Sequence, residues 1–422
     1  MKVKSITLTD FRNFDSASVS FTADTNVICG SNAQGKTNLT EAVWLLTGNR
    51  SFRGSRDIEL VKQGKERSVI KAEFFADGRD QTAELYIGSN REAVLNGVKL
   101  QTPSELNEKF RAVVFSPDDL SLISEGPSER RHFCDTVISG FYPRYAEKSA
   151  RYTRALEQRK YVLKDYRTHP ELDVLLDDFE AEIVKAGKEI IIYRKRFLER
   201  LSEYLPEIYS GLSGGKESIS AEYISTGGVN ESEFREKLIS SRETDAVMLS
   251  TSVGPHRDDV EILINGISAR KFASQGQKRS AAITLRLAEA KLTEAITGTS
   301  PIILLDDVMS ELDPTRQKYI LNHIKGRQVL ITCCDPENTK GLKAGKVIEI
   351  KDGVITEKIS ETKRPSSEKQ TEKKTACKTN TNKKTTANKK ESANKKEPAN
   401  KKVTTAKKKS AGKEKKTKKT KI

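Results

Sequence analysis

The chain has 422 residues, 32% of them charged and only 6% aromatic, with a formal net charge of +16. No apolar run is long enough to cross a bilayer, and Met1 to Leu8 alternates like a strand where a signal peptide needs an apolar core, so a cytosolic protein with room for two or more domains is expected. The basicity is confined to one end: from Lys363 onward there are 23 Lys and Arg against 5 Asp and Glu, whereas the residues before it carry 52 against 54, so an overall field for nucleic acid is excluded for the body and only a local patch would serve.

In chain order, residues 2–29 read as three short strands, Val3 to Leu8, Ala17 to Phe21 and Thr25 to Cys29, with a turn at Phe11-Arg12-Asn13-Phe14. A meander beside a phosphate loop often walls the adenine and ribose. Arg12 and Asn13 are candidates for that wall, with plain turn residues as the alternative. The third strand runs into Gly30-Ser31-Asn32-Ala33-Gln34-Gly35-Lys36-Thr37 and then a helix-like segment through Leu39, Ala42, Val43 and Leu46. Strand, glycine loop and helix start together present backbone N–H groups and a positive dipole end to a phosphate chain. Lys36 reaches the β- and γ-phosphates in such a loop, and the Thr37 hydroxyl holds Mg²⁺.

Gly48 to Arg56 is polar and carries Arg50, Arg53 and Arg56, which read either as phosphate contacts or as a solvated face. From Ser68 to Leu100 the pattern alternates, with Asn96-Gly97 marking a tight hairpin. This predicts an antiparallel layer. Arg111 to Phe115 is a further strand leading to a loop between Pro117 and Pro127, where Asp118 and Asp119 are either carboxylates near the nucleotide or helix caps.

From Ser128 to about Leu205 the period becomes helical, with His169-Pro170 dividing it. A helix from Glu171 to Tyr204, about 50 Å long at 1.5 Å per residue, pairs with Ala146 to Tyr166 as an antiparallel arm. Its Arg151, Arg154, Arg159, Lys160, Arg194, Lys195 and Arg196 are candidates for the local basic patch, or a solvated helix face. Residues 217–265 return to strands and a helix from Ser232 to Ser241, and Gly254-Pro255-His256-Arg257-Asp258-Asp259 reads as a structural ion network or a segment packed beside catalytic loops.

Three elements complete the phosphate loop. Ser274-Gln275-Gly276-Gln277 opens a helix and is a second phosphate-binding device. Pro301 to Asp307 is a buried apolar strand ending in two acids, of which Asp306 orients Mg²⁺ through water and Asp307 polarises the attacking water. Ser310-Glu311-Leu312-Asp313 follows, then a helix from Arg316 to Ile324, a strand from Val329 to Thr332, and a hairpin from Val347 to Ile355 around Asp352-Gly353. Beyond it the tail repeats Asn-Lys-Lys at Asn382, Asn388, Asn394 and Asn400, a composition that predicts disorder and either nonspecific nucleic-acid affinity or a solubilising decoration. The five cysteines, Cys29, Cys134, Cys333, Cys334 and Cys377, show no metal-ligand spacing and fit a reducing compartment.

Taken together, Gly30 to Thr37, Ser274 to Gln277, Ile302 to Asp307 and Ser310 to Asp313 resemble the Walker A, signature, Walker B and D-loop motifs of the ABC-type ATPase heads of SMC proteins and their relatives. Pro117-Asp118-Asp119-Leu120, Gly254 to Asp259 and Tyr152 to Arg159 are similar to stretches of the RecF family of bacterial recombination mediators. The resemblance covers about residues 1 to 357, and the lysine tail departs from it. It implies an α/β fold with a mixed sheet and an antiparallel β layer. The head is expected over 1–127 and 245–357, an inserted helical arm over 128–244 and a disordered basic tail over 358–422.

The resemblance also implies ATP and Mg²⁺ as cofactors. In that arrangement Gly30, Ser31, Asn32, Ala33, Gln34, Gly35, Lys36 and Thr37 cradle one chain's ATP while Ser274 caps it from the partner of a homodimer. Asp306, Asp307 and Lys36 act in hydrolysis, with Thr37 and Asp306 at the metal. Aspartate at 307, where many such heads carry glutamate, is consistent with a weak ATPase used as a switch. The implied role is ATP-dependent binding of single-stranded or gapped DNA and its junctions with duplex. Together with RecO and RecR it promotes RecA loading, which serves recombinational repair, replication-fork maintenance and the SOS response. The alternative is an ABC-type subunit of another machine, for transport or chromosome organisation. The short arm and the Gly254 to Asp259 segment speak against transport, and the absence of long heptads speaks against an SMC-like organiser.

Overall fold

The computed structural model describes residues 1–228, 230–334, 345–351 and 353–359; the expected tail from residue 360 onward, and Asp352 of the last hairpin, lie outside the described residues, while residues 358 and 359, grouped with the tail by sequence, belong to the last strand. Strands β1 (Lys2–Phe11) and β2 (Phe14–Ser20) form the first hairpin, and β3 (Thr25–Cys29) leads into helix α1 (Lys36–Leu45). After the single turn α2 (Asp57–Leu60) come β4 (Ser68–Ala76), β5 (Arg79–Ile87), β6 (Arg91–Leu95), β7 (Val98–Lys99) and β8 (Ala112–Phe115). The helical stretch comprises the turn α3 (Ser121–Ser124), α4 (Pro127–Phe141), α5 (Pro143–Leu163), α6 (Asp173–Ser202) and α7 (Leu205–Ser213). Then follow β9 (Ile219–Ile224), α8 (Glu231–Ser240), α9 (Arg242–Met248), β10 (Asp259–Ile264), β11 (Ile267–Ser268) and the turn α10 (Ala269–Phe272). The long α11 (Gln275–Thr297), β12 (Ile302–Leu305), α12 (Pro314–His323), β13 (Val329–Cys333), β14 (Lys346–Lys351) and β15 (Val354–Ile359) complete the fold.

The central sheet has the order β15-β14-β3-β13-β12-β8, parallel except for β15. Its inner strands are covered on both faces, which is why Val27-Ile28-Cys29 and Ile302 to Leu305 are continuous apolar runs without alternation. The second sheet, β2-β1-β4-β5-β6-β7, is antiparallel and covered on one face. Along β4, Ile70, Ala72 and Phe74 point inward while Lys71, Glu73 and Phe75 face out. Asn96 and Gly97 both have positive φ, 51° and 79°, as a two-residue hairpin of the mirror-image type requires. Helix α1 is buried from Leu39 to Leu45 because it lies between the two sheets, where Leu39, Val43 and Trp44 join Ile28, Ile70 and Phe110 in one core.

A second core, on the other face of the central sheet, gathers α4, α6, α7 and α11 around residues such as Phe133, Phe197, Leu201 and Leu285. Helices α5 and α6 pair as the arm, and α6 has 30 residues, about 45 Å. The small sheet β11-β10-β9 pairs β9, grouped with the arm by sequence, with β10, grouped with the head.

Two of the arm's expected patch residues belong instead to its interior. Arg159 is 0% exposed and donates to Glu180 (2.9 Å), Asp245 (2.7 Å) and the Thr251 hydroxyl (2.9 Å). Arg242 holds the other side of Glu180 at 2.7 Å. Arg194 grips Asp135 through two bonds of 2.8 Å and donates to the Pro255 carbonyl at 2.6 Å. Guanidinium groups so engaged fasten helices to one another and present nothing to a phosphate backbone. Arg151, Arg154, Lys160 and Arg196 remain exposed, with Arg151 paired to Glu182.

The Gly254 to Asp259 segment proves to be structural. Asp259 takes a forked pair of bonds from Arg130 (2.8 and 3.0 Å), and Asp258 accepts from the Tyr223 hydroxyl and from the backbone and hydroxyl of Thr226. His256 Nε2 faces the Thr251 carbonyl at 2.9 Å, so this nitrogen carries the proton and Nδ1 accepts from the Tyr152 hydroxyl at 2.6 Å. Burial pushes the His256 pKa below its usual 6.5.

Candidate nucleotide-binding site

Strand β3 delivers the chain to the loop at the carboxyl end of the central sheet, where Gly30, Ala33 and Gly35 all have positive φ, 152°, 65° and 110°. At Gly35 an added Cβ would lie 2.8 and 2.9 Å from the Asn13 amide and 3.0 Å from Phe14, so both its conformation and its surroundings exclude a side chain. Lys36, 7% exposed, folds its ammonium back over the loop to donate to the carbonyls of Gly30 (2.7 Å) and Ser31 (3.0 Å). It also touches Cys334 Sγ at 3.7 Å, and that thiol donates to Asn32 Oδ1 at 2.9 Å.

Arg12 and Asn13, read from the sequence either as a wall for the base and ribose or as plain turn residues, brace the loop and the helix that follows it. Asn13 donates to the Gln34 carbonyl at 3.0 Å and accepts from Asn38 at 2.8 Å. Arg12 clamps the fully buried Glu41 of α1 through two bonds of 2.9 Å and reaches the Ser55 hydroxyl at 2.6 Å. Glu41 also accepts from the Ser51 hydroxyl. A guanidinium spent on a buried carboxylate is unavailable to a ligand. Nearby, Arg50 and Arg53 line an open cleft of about 700 Å³ together with Asp118, Glu125 and Glu129.

The two acids follow β12. Asp306 is 5% exposed, and its Oδ1 accepts from the hydroxyls of Thr332 (2.9 Å) and Thr40 (3.3 Å), with Thr37 hydrogen-bonded to it as well. Burial raises its pKa, the three hydroxyls oppose that rise, and the neighbouring Asp307 adds to it. Asp307 has a φ of 54°, which for a residue with a side chain costs about 1–3 kcal/mol. Its N–H donates to Thr332 Oγ1 at 2.8 Å, and Ser310 Oγ donates to its carbonyl at 2.8 Å. A threonine hydroxyl beside a buried carboxylate is an oxygen donor set suited to a hard divalent cation, so the residues present fit Mg²⁺ held by Thr37 and Asp306.

Ser274 caps α11 through a reciprocal pair with Gln277, its Oγ accepting from Gln277 N at 3.3 Å and its N–H donating to Gln277 Oε1 at 2.8 Å. It is exposed, and among the described residues its side chain makes no bond to Gly30–Thr37. Farther along α11, Arg279 pairs with Glu311 at 3.2 Å, tying the helix to Ser310–Asp313. Arg286 pairs with Asp119 at 2.7 Å and with Glu289 at 2.9 Å. Asp119 thus caps its own turn through the Ser116 N–H and fastens α11, the capping alternative of the two expected for it.

Sequence reasoning missed Thr40 and Thr332. Thr40, one turn beyond Thr37, was open to a spacing argument; Thr332, one hydroxyl at the end of an apolar strand, offered no signal.

A loop of this geometry, between a mostly parallel sheet and a buried helix, with paired acids two strands away, defines the nucleotide-binding head class shared by RecF, RecN and SMC proteins. The model of the RecF/RecN/SMC N terminal domain matches residues 2–356. Among relatives, the chain is 39% identical over 335 residues to the DNA replication and repair protein RecF of Lachnoclostridium phytofermentans, spanning 79% of this chain and 92% of that one. It is 36% identical over 361 residues to RecF of Lachnospira eligens, spanning 84% and 99%. A solved structure of the recombination mediator protein RecF-ATP in the RecFOR pathway superposes with a TM-score of 0.79 at 36% identity, covering 84% of this chain and 97% of that one. The chain belongs to the RecF family.

Proposed function

We propose that this protein is an ATP-switched DNA-binding protein of recombinational repair, acting in the cytosol. The observation that carries the reading is the split site: Lys36 and Asp306 are both bonded to the Gly30–Thr37 loop, with Asp307 next in the chain, while Ser274 stands exposed at a helix start and, among the described residues, makes no side-chain bond to that loop. Residues Gly30 to Thr37 bind the triphosphate of one copy, and Ser274 of a second copy caps it. Two sites then close together in a two-fold dimer.

In that assembly Lys36 leaves the Gly30 and Ser31 carbonyls for the β- and γ-phosphates. Thr37 and Asp306 would hold Mg²⁺. When bound, the metal supplies charge neutralisation at the phosphates. Asp307, set in its direction by the pinned backbone, orients the attacking water and takes up its proton. Hydrolysis removes the γ-phosphate that holds the copies together, so the nucleotide works as a timer. The relatives' names, DNA replication and repair protein and recombination mediator in the RecFOR pathway, support the wider reading. In it the dimer closes on single-stranded or gapped DNA, works with RecO and RecR, and promotes RecA assembly and with it the SOS response.

Lys36→Arg tests this. Dimerisation by ultracentrifugation and retention on gapped DNA are expected to lose their ATP dependence. A variant that dimerises and holds DNA with ATP as the parent does overturns the switch.

A further inference from the structure

We propose that Thr332 is the positioning residue of the hydrolytic centre: a single hydroxyl that sets Asp306 and Asp307 relative to each other. The proposal deepens the reading given above and rests on it. Thr332 is 2% exposed, near the end of β13, which runs parallel to β12 with Ile331 opposite Leu305. Its neighbour across the strands is therefore the first acid.

The bonding directions are fixed by chemistry. A carboxylate oxygen only accepts, so Thr332 Oγ1 donates its proton to Asp306 Oδ1 at 2.9 Å. A backbone N–H only donates, so the same oxygen accepts from Asp307 N at 2.8 Å. One hydroxyl has one proton and two lone pairs, and both bonds are made at once.

This placement matters because Asp307 has a left-handed backbone, φ 54°, a sparsely populated conformation that costs free energy and persists where the surroundings hold it. Its N–H is clasped by Thr332 and its carbonyl by Ser310. Those two clasps, from different elements, fix the Asp307 backbone, and the Ser310 hydroxyl also reaches the carboxylate itself at 3.3 Å. Thr332 touches neither water nor phosphate in this scheme; it acts through the acid beside it. Valine has threonine's shape without the hydroxyl, whereas serine keeps the hydroxyl without the methyl.

The test measures steady-state ATP hydrolysis by the full-length chain with Mg²⁺ and gapped DNA, for the parent, Thr332→Val, Thr332→Ser and Asp307→Asn. Thr332→Val is expected to lower kcat roughly tenfold or more while KM for ATP stays within about threefold, and Thr332→Ser to recover most of the loss. Binding of a fluorescent ATP analogue and thermal melting report folding; should valine not fold, Thr332→Ala removes the same hydroxyl. A valine variant with the parent's kcat, or a serine variant as slow as valine, overturns the positioning role while the site stands. If Asp307→Asn hydrolyses ATP as the parent does, the reading of the hydrolytic centre falls and the role of Thr332 falls with it.

Discussion

His256 shows how one side chain records the joining of arm and head. Its imidazole lies between the Tyr152 hydroxyl and the Thr251 carbonyl, a neutral ring using both nitrogens. Protonation would set a second N–H against a hydroxyl that now donates, beside Arg257 and Arg131, with Asp258 as the opposing charge. The folded pKa is therefore below the unfolded value of 6.5, and between the two the unfolded chain binds more protons. Stability from this group is full above 6.5 and is lost as pH falls through the folded pKa. Urea midpoints are expected to decline over that acid interval, and in His256→Gln the decline should be shallower. Equal slopes for parent and variant would show that other groups carry the dependence. Single residues were the least legible in the sequence. Arg12 beside a phosphate loop reads as a ligand contact until Glu41, buried 29 positions away, is seen to claim it. Thr332 carried no pattern at all.

At the scale of elements the sequence was far more informative, because burial imposes periods. Strands covered on both faces became apolar runs, the half-covered sheet alternated, and α6 declared itself by three- and four-residue steps. Charge within the arm was not legible. Arginine on a helix reads as solvent-facing, and only the fold brings Glu180, Asp245 and Thr251 around Arg159. Removing the cation leaves Asp245 without its charge partner in the interior, so Arg159→Met is expected to destabilise the protein by about 3–5 kcal/mol. Exposed Arg154→Ala should leave the urea midpoint unchanged. Comparable losses in both would mean that the buried cluster contributes no more than a surface charge.

For the molecule as a whole, the order of motifs made the head recognisable, since the phosphate loop, the serine-led helix and the paired acids follow in sequence while an arm intervenes. The charge is divided unevenly, between a near-neutral body and a tail at +18. Removing residues 363–422 is expected to flatten the dependence of log affinity on log salt by about 0.7–0.9 for each DNA phosphate that the tail had neutralised. ATP-dependent binding to gapped DNA should survive. Full loss of that dependence with the tail would place the nucleotide-gated contact outside the body.

The clasp between Arg286 and Asp119 gives α11 a mechanical character. Twelve residues separate Ser274 from Arg286, roughly 18 Å of stiff helix. The Arg279–Glu311 pair grips the same helix nearer its tip, and Ser280 to Leu285 between the two grips are buried. The serine end is therefore aimed from two points, the Asp119 turn and the segment that follows the paired acids.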